Sequence, residues 1–231
     1  GGTGCGIGKT ITVNPLPSVI TGPMQVCQGS SITLTDTIVG GTWAVSPTTL
    51  ASISTTGVLS AIVTGSTTIN TVTVTYTYNG CSRTTTVTIN PLPALITGTA
   101  RVCQGATTTL TSLPTGGTWT SGNPLLATVS SSGVVSGGTA LYGPVLISYM
   151  LPTGCTRNIT VTVNQAPSPI IGPAAICVGQ TTIVADGTPG GTWSSSPSAI
   201  APIGATTGSV TGYAPGGTAT ITYTWTNGCT A

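Results

Sequence analysis

Four Gly-Cys pairs recur at a nearly constant interval along this chain of 231 residues, and this period constrains the fold more than any other feature. Their cysteines are spaced 76, 74 and 74 residues apart, at Cys5, Cys81, Cys155 and Cys229. A second cysteine lies sixteen residues before a tryptophan in three places, as Cys27 with Trp43, Cys103 with Trp119 and Cys177 with Trp193. A period of this length predicts a tandem array of small domains.

Proline-rich segments mark the joints of this array. Asn-Pro-Leu-Pro occurs at 14–17 and at 90–93, and Asn-Gln-Ala-Pro takes its place at 164–167. Because such segments interrupt regular structure, they predict a first repeat over 18–90, a second over 94–164 and a third over 168–231 that lacks its last strand. Residues 1–14 match that missing strand and are interpreted as the last strand of a preceding repeat. On this interpretation the chain is a window of a longer periodic polypeptide.

The local pattern predicts strands throughout. Apolar and hydroxyl residues alternate over 71–77 and 86–89, with a hairpin turn at 78–81 between them. Further strand signals occupy 32–35, 41–45, 51–54 and 58–62. About seven short strands per repeat, a central tryptophan and no helical period predict an all-β chain of tandem Ig-like β-sandwiches in a linear array. Trp43, Trp119 and Trp193 are then expected in the cores.

Composition argues against several classes of function. Only 3% of the residues are charged, histidine is absent, and Asp36 and Asp186 are the only acidic residues. Nucleic acid therefore has no basic surface to bind, and no apolar run is long enough to cross a membrane. Without histidine or neighbouring carboxylates, neither a catalytic triad nor a calcium site can be assembled. The sequence thus predicts a protein that is not an enzyme, with no catalytic, cofactor or metal site.

Three ligand-binding interpretations compete with structural ones. The segment 4–10 ends like a phosphate-binding loop, but Thr3 stands where that loop needs glycine and the repeat pattern predicts a strand there. The tryptophans could stack on sugar rings, although their constant position within each repeat favours a place in the core. The Thr-x-Thr rows resemble an ice-binding surface, although threonine is also common on the solvent face of strands.

Several motifs carry a family resemblance. The segments 117–124 and 127–137 resemble the signature of bacterial Ig-like group 2 domains, and 178–181 and 217–223 resemble the same family. Together with the Val-Cys-x-Gly, Asn-Gly-Cys and Asn-Pro-Leu-Pro elements, the chain is similar to Ig-like repeats of giant surface proteins of gliding and related bacteria, which are exported by the type IX pathway. The resemblance implies an extracellular or cell-surface protein, and the paired cysteines favour the same oxidising setting.

The disulfide pairing follows from where the cysteines fall in an Ig-like sandwich. Each repeat contains two cysteines, and pairing them within the repeat would join Cys27 to Cys81, Cys103 to Cys155 and Cys177 to Cys229. In an Ig-like strand order, however, Cys27 and Cys81 lie at opposite ends of one domain, about 25 Å apart, whereas a disulfide tolerates about 7 Å between Cα atoms. We therefore expect Cys27–Cys155 and Cys103–Cys229 bonds between neighbouring repeats. Cys5, Cys81 and Cys177 are expected to find partners outside this window or on other chains.

These features favour a structural function. A surface with almost no charge promotes association with copies of itself, so several chains are expected to bundle into a fibre. The sequence predicts the shaft of a giant adhesin or filament-forming surface appendage used for attachment or surface movement, with any surface glycan or target surface bound elsewhere. The alternatives are an array of carbohydrate-binding Ig-like modules and a passive spacer of a secreted enzyme.

Overall fold

The computed structural model describes residues 7–231, so Cys5 lies outside the described residues. The chain forms two compact units. The first contains residues up to Pro93 together with Met150–Thr156, and the second contains Ala94–Tyr149 with Arg157–Ala231. The segment 150–156, which is the tip of a hairpin in the second repeat, thus belongs to the first unit. The division into repeats remains a prediction, and the three predicted repeats are used below only to group the strands.

The first repeat contains seven strands in two sheets. They are β1 Gln25–Cys27, β2 Ser31–Thr33, β3 Thr42–Ser46, β4 Ala51–Ile53, β5 Val58–Ala61, β6 Asn70–Tyr78 and β7 Cys81–Asn90. One sheet has the order β1-β7-β6-β3 and the other has the order β2-β5-β4. The first strand runs parallel to the last, and the other neighbours are antiparallel. Two such sheets around one core form an Ig-like sandwich.

Alternation along these strands builds the core between the two sheets. Leu59 on β5, Val74 on β6 and Val87 on β7 are fully buried, and the threonines between them on β6 and β7 are exposed or half-buried. Between β6 and β7, Asn79 and Gly80 have φ angles of 47° and 78°, the left-handed pair that a two-residue hairpin turn requires. The predicted hairpin is therefore present. β7 begins at Cys81, five residues before the predicted strand, because backbone pairing with β6 extends into a stretch without apolar alternation.

The second repeat has the same two-sheet plan with one additional short strand. Its strands are β8 Thr97–Gly98, β9 Arg101–Cys103, β10 Thr107–Thr111, β11 Thr118–Ser121, β12 Ala127–Val129, β13 Val134–Gly137, β14 Gly143–Met150 and β15 Thr156–Asn164. The sheets have the orders β11-β14-β15-β9 and β12-β13-β10-β8. The parallel pair is now β9 with β15.

The third repeat has four strands, fewer than the six expected of a seven-stranded repeat that lacks its last strand. They are β16 Thr181–Ile183, β17 Thr192–Ser196, β18 Ser209–Thr211 and β19 Thr220–Thr224, paired as β16 with β18 and β17 with β19. Within the described part of the chain no segment of this repeat corresponds to β7 or β15. Residues 7–14, interpreted from sequence as such a last strand, form no strand either, because no described segment pairs with them.

A tryptophan–tyrosine pair fixes the same corner of each repeat. The rings of Trp43 and Tyr76 lie 4.6 Å apart, and the pairs Trp119–Tyr149 and Trp193–Tyr223 repeat this arrangement at 4.6 and 4.7 Å. Trp193 is buried, and Trp43 and Trp119 are partly buried. A Cβ atom at Gly41 would lie 2.4 Å from the Tyr76 ring, which explains why the Gly-Gly-Thr-Trp block needs glycine there.

The tyrosine hydroxyls tie this corner to the backbone. The Tyr149 hydroxyl donates to the carbonyl of Pro114 at 2.7 Å and accepts from the Gly117 amide at 2.8 Å. The Tyr76 hydroxyl bonds the Ile38 carbonyl and Gly41 amide, and the Tyr223 hydroxyl bonds the Thr188 carbonyl and Gly191 amide. Each tyrosine therefore closes the loop that precedes its tryptophan.

Tyr149→Phe should lower the free energy of unfolding by about 1–3 kcal/mol, because it removes both hydrogen bonds and leaves part-buried backbone groups unpaired. The midpoint of guanidinium unfolding of the full chain measures the loss. Tyr142→Phe is the matched control, since Tyr142 is 61% exposed, and it should change stability by less than about 0.5 kcal/mol. Equal effects of the two substitutions would contradict the role given to the Tyr149 hydroxyl.

Candidate functional site

The candidate site is a covalent joint where a hairpin tip meets the end of a neighbouring sheet. In the first unit, parallel pairing of β1 with β7 places Cys27 opposite Asn90, the last residue of β7. The Sγ atom of Cys155, at the hairpin tip, lies 4.0 Å from the Asn90 carbonyl oxygen. Cys27 and Cys155 form a disulfide with their Cα atoms 5.6 Å apart. This bond crosses from the first repeat to a hairpin of the second.

The second unit contains the same joint. Parallel pairing of β9 with β15 places Cys103 opposite Asn164, and Cys103 forms a disulfide with Cys229, their Cα atoms 5.7 Å apart. The side-chain Nδ2 of Asn164 donates to the backbone carbonyl of Asn227 at 3.3 Å. The side-chain Nδ2 of Asn227 donates to the backbone carbonyl of Gln165 at 2.8 Å. Hydrogen bonds between the hairpin turn and the proline segment therefore accompany the disulfide.

Proline burial completes each joint. The last proline of each joint segment is buried, at Pro17, Pro93 and Pro167. Because proline restricts the backbone, a buried proline three residues after the end of β7 or β15 limits the directions in which the chain can continue. The asparagine before each segment and its contacts with a hairpin were not anticipated from the sequence. Its recurrence at 14, 90 and 164 was the available signal.

The structure distributes the seven cysteines as follows. The two disulfides are the pairs hypothesised above, Cys27–Cys155 and Cys103–Cys229. Cys81 and Cys177 are free thiols, half-buried and exposed respectively, and Cys5 is outside the described residues. Cys27 and Cys81 lie at the two ends of β7, because Cys27 is opposite Asn90 and β7 begins at Cys81. Nine residues of extended strand span about 30 Å, too far for a direct bond between these two cysteines.

The two disulfides enclose overlapping stretches of chain. Their sequence separations are 128 and 126 residues, and the two loops share residues 103–155. Three covalent routes that use a disulfide therefore connect Cys27 to Cys229. One follows the chain from Cys27 to Cys103 and crosses to Cys229, and a second crosses from Cys27 to Cys155 and follows the chain onward. The third and shortest crosses both disulfides and contains only the backbone of residues 103–155. A single backbone break between Cys27 and Cys229 leaves at least one route intact.

The described residues offer little for other chemistry. No cluster of three or more His, Cys, Asp or Glu side chains suited to a metal occurs among residues 7–231. The two aspartates occupy equivalent turns, where Asp36 accepts from the Ile38 amide at 2.9 Å and Asp186 from the Thr188 amide at 2.6 Å. Both carboxylates thus shape loops. Among these residues no helix is long and apolar enough to span a bilayer.

Comparison with known proteins gives similarity at the level of solved structures. No protein-family model matches the chain, and no curated protein matches it in sequence. A 282-residue C-terminal fragment of intimin, solved with the intimin-binding domain of the translocated intimin receptor, is 19% identical with a TM-score of 0.41, over 66% of this chain and 67% of that one. Domains 1–6 of the surface layer protein SbsC are 19% identical with a TM-score of 0.29, over 90% of this chain and 38% of that one. The EC1-2 fragment of human protocadherin-24 is 9% identical with a TM-score of 0.30, over 68% and 100%.

Cleavage within a joint should leave the chain in one piece until the disulfides are reduced. A protease site introduced at 94–95, where both residues are exposed, should give one band on non-reducing electrophoresis and two bands after reduction. The same site at Val19, which is 64% exposed and lies before Cys27, is the matched control. It should release its N-terminal fragment without reductant. Separation of the 94–95 fragments under non-reducing conditions would contradict the overlapping connectivity.

Proposed function

We propose that this chain is part of the shaft of an extracellular adhesin or filament-forming surface appendage, and that its function is to transmit mechanical load between an anchor and an attachment site. The observation that supports this most directly is the recurrence of one joint at two successive positions, with the same strand register and Cα–Cα distances of 5.6 and 5.7 Å. A disulfide within each domain would stabilise domains, whereas a disulfide across each joint strengthens the array.

The covalent routes give this proposal a mechanism. When the two ends of the chain are pulled, tension reaching Cys27 divides between the backbone and the Cys27–Cys155 bond. The routes then carry the load in parallel as far as Cys229. A repeat that unfolds can lengthen only until the shortest route, through both disulfides and residues 103–155, is taut. The array therefore resists extension even when one domain opens.

The low stability expected of a single repeat also supports a load-bearing function for the joints. A domain of about 75 residues buries only about 60% of the surface of its unfolded chain and is marginally stable alone. Closing a loop of more than 100 residues with a disulfide stabilises the folded state by about 4–5 kcal/mol in the chain-entropy model. Each joint therefore adds stability comparable to that of a small domain.

The setting that we propose is the cell exterior. Two disulfides are typical of proteins in oxidising compartments. The resemblance to Ig-like repeats of giant bacterial surface proteins supports export by the type IX pathway and a role in attachment or surface movement. With four basic and two acidic residues, the surface offers little repulsion between copies, which supports a fibre of several chains. We assign no sugar to Trp43, Trp119 or Trp193, since each of the three packs against a tyrosine ring.

Single-molecule extension tests the mechanical proposal. Held between Cys27 and Cys229, the fully stretched oxidised chain should span about 18 nm, because the shortest covalent route crosses both disulfides and contains only the backbone of residues 103–155. The reduced chain should span about 70 nm over the same interval. Cys177→Ser, which removes an exposed free thiol, is the control and should leave both lengths unchanged. Equal extension of the oxidised and reduced chains would contradict the proposal.

A further inference from the structure

One peptide group of the second joint, between Gln165 and Ala166, is held by side chains on both sides. Its N–H donates to Oε1 of Gln104 at 3.0 Å. Its carbonyl oxygen accepts from Nδ2 of Asn227 at 2.8 Å. Both side chains are distant in sequence from this peptide group, so the contacts depend on tertiary structure and fix the path of the joint.

The side chain of Gln104 is itself held in one orientation. Its Nε2 donates to the carbonyls of Thr139 and Leu141, both at 3.2 Å. Because a carbonyl can only accept and an N–H can only donate, this orientation alone satisfies both ends of the amide. The backbone N–H of Gln104 also donates to the Asn164 carbonyl at 2.9 Å. Gln104 therefore presents a fixed acceptor to the joint.

Asn227 is held in a similar way within the hairpin 225–229. Its Oδ1 accepts from the Cys229 N–H at 2.9 Å, and its backbone carbonyl accepts from Nδ2 of Asn164 at 3.3 Å. The turn is closed by a bond from the Trp225 N–H to the Cys229 carbonyl at 2.8 Å. An asparagine that bonds its own turn has a restricted side chain. Nδ2 of Asn227 is thus directed at the joint.

These groups form one continuous series of hydrogen bonds, which we call the amide relay. It consists of the Gln104 side chain, the Gln165–Ala166 peptide group and the Asn227 side chain. The relay begins at the residue after Cys103 and ends at the N–H of Cys229. It therefore connects the surroundings of the two cysteines without using the disulfide between them.

The first joint has the same hairpin backbone but different side chains. Its hairpin 151–155 is closed by the same pair of backbone bonds as 225–229. Thr153 occupies the position of the hairpin asparagine. Gln28, at the position of the relay glutamine, donates to the Thr64 hydroxyl at 3.3 Å and to the Ser66 carbonyl at 3.1 Å. The chain thus provides an internal comparison for the relay.

We propose that the joint peptide group, oriented by Gln104, is a binding site for the asparagine of the following hairpin, and that this binding places Cys229 beside Cys103 before their disulfide forms. The ligand of the site is an Asn-Gly-Cys hairpin of the same chain. Among the thiols of the reduced chain, the relay selects Cys229 as the partner of Cys103. This inference concerns how the joint assembles, and it holds whether or not the joint carries load.

The disulfide then forms by exchange with a small-molecule disulfide such as oxidised glutathione. The Cys103 thiolate attacks glutathione disulfide and releases one glutathione thiol. The Cys229 thiolate attacks the Cys103 sulfur of the mixed disulfide and releases the second. The two protein thiols lose two electrons and two protons, and one glutathione disulfide becomes two glutathione thiols. The relay makes no covalent bond and acts as a positioning device.

The experiment equilibrates the full reduced chain in glutathione buffers and measures each disulfide by alkylation and peptide mapping. Gln104→Met keeps the length of the side chain but removes its amide. Asn227→Thr introduces the residue that the first hairpin has at this position. Each substitution should lower the equilibrium constant of the Cys103–Cys229 bond about fivefold, because one hydrogen-bonded link is lost. The Cys27–Cys155 bond of the same chain should change less than about twofold.

The double variant separates a relay from two independent structural roles. Because both side chains hold one peptide group, the double variant should lose about fivefold, whereas independent roles would multiply to about twenty-five-fold. Asn158→Thr, at an exposed position on β15, is the matched control and should change the constant less than about twofold.

Three results would overturn the proposal. The first is a Cys103–Cys229 bond that both substitutions leave unchanged, and the second is a multiplicative loss in the double variant. The third is an equal loss at Cys27–Cys155, because the substitutions would then act on folding in general.

Discussion

The disulfide between a hairpin tip and the end of a first strand is the interaction on which the rest of this structure depends. It forms because the first and last strands of a repeat run in parallel, which places Cys27 beside Asn90 and Cys103 beside Asn164. The proline segment begins at the next residue, and the hairpin carrying Cys155 or Cys229 meets the strand end there. The parallel pairing of the first strand with the last, and its register, thus set both the geometry of the joint and the pairing of its cysteines.

This arrangement suits a chain of small domains with almost no charged residues. Each repeat has a thin core of aliphatic residues and one tyrosine–tryptophan corner, so its own stability is modest. Overlapping disulfide loops stabilise neighbouring repeats together, because unfolding one leaves its ends held by bonds to the next. The same bonds that stabilise the fold are those to which the proposed function assigns the load, which connects the packing of each sandwich to the proposed mechanical role.

Much of the fold could be predicted from the sequence, because alternating threonine and aliphatic residues define strands at period two. The strands β3 to β6 fall within a residue or two of their predicted positions. The early start of β7 was missed, since Ser82 and Arg83 pair with β6 but lack that alternation. The roles of Tyr76, Tyr149 and Tyr223 were also missed, because hydrogen bonds to loop backbone depend on tertiary contacts. The short third repeat reflects the missing partner strand.

Peptide mapping of the native, non-reduced protein tests the central claim most directly, because every argument about the joints depends on sulfur connectivity. The account predicts fragments that join Cys27 to Cys155 and Cys103 to Cys229. Fragments that join Cys27 to Cys81 and Cys103 to Cys155 would contradict it, since each repeat would then be closed on itself and the joints would have no covalent bond besides the backbone.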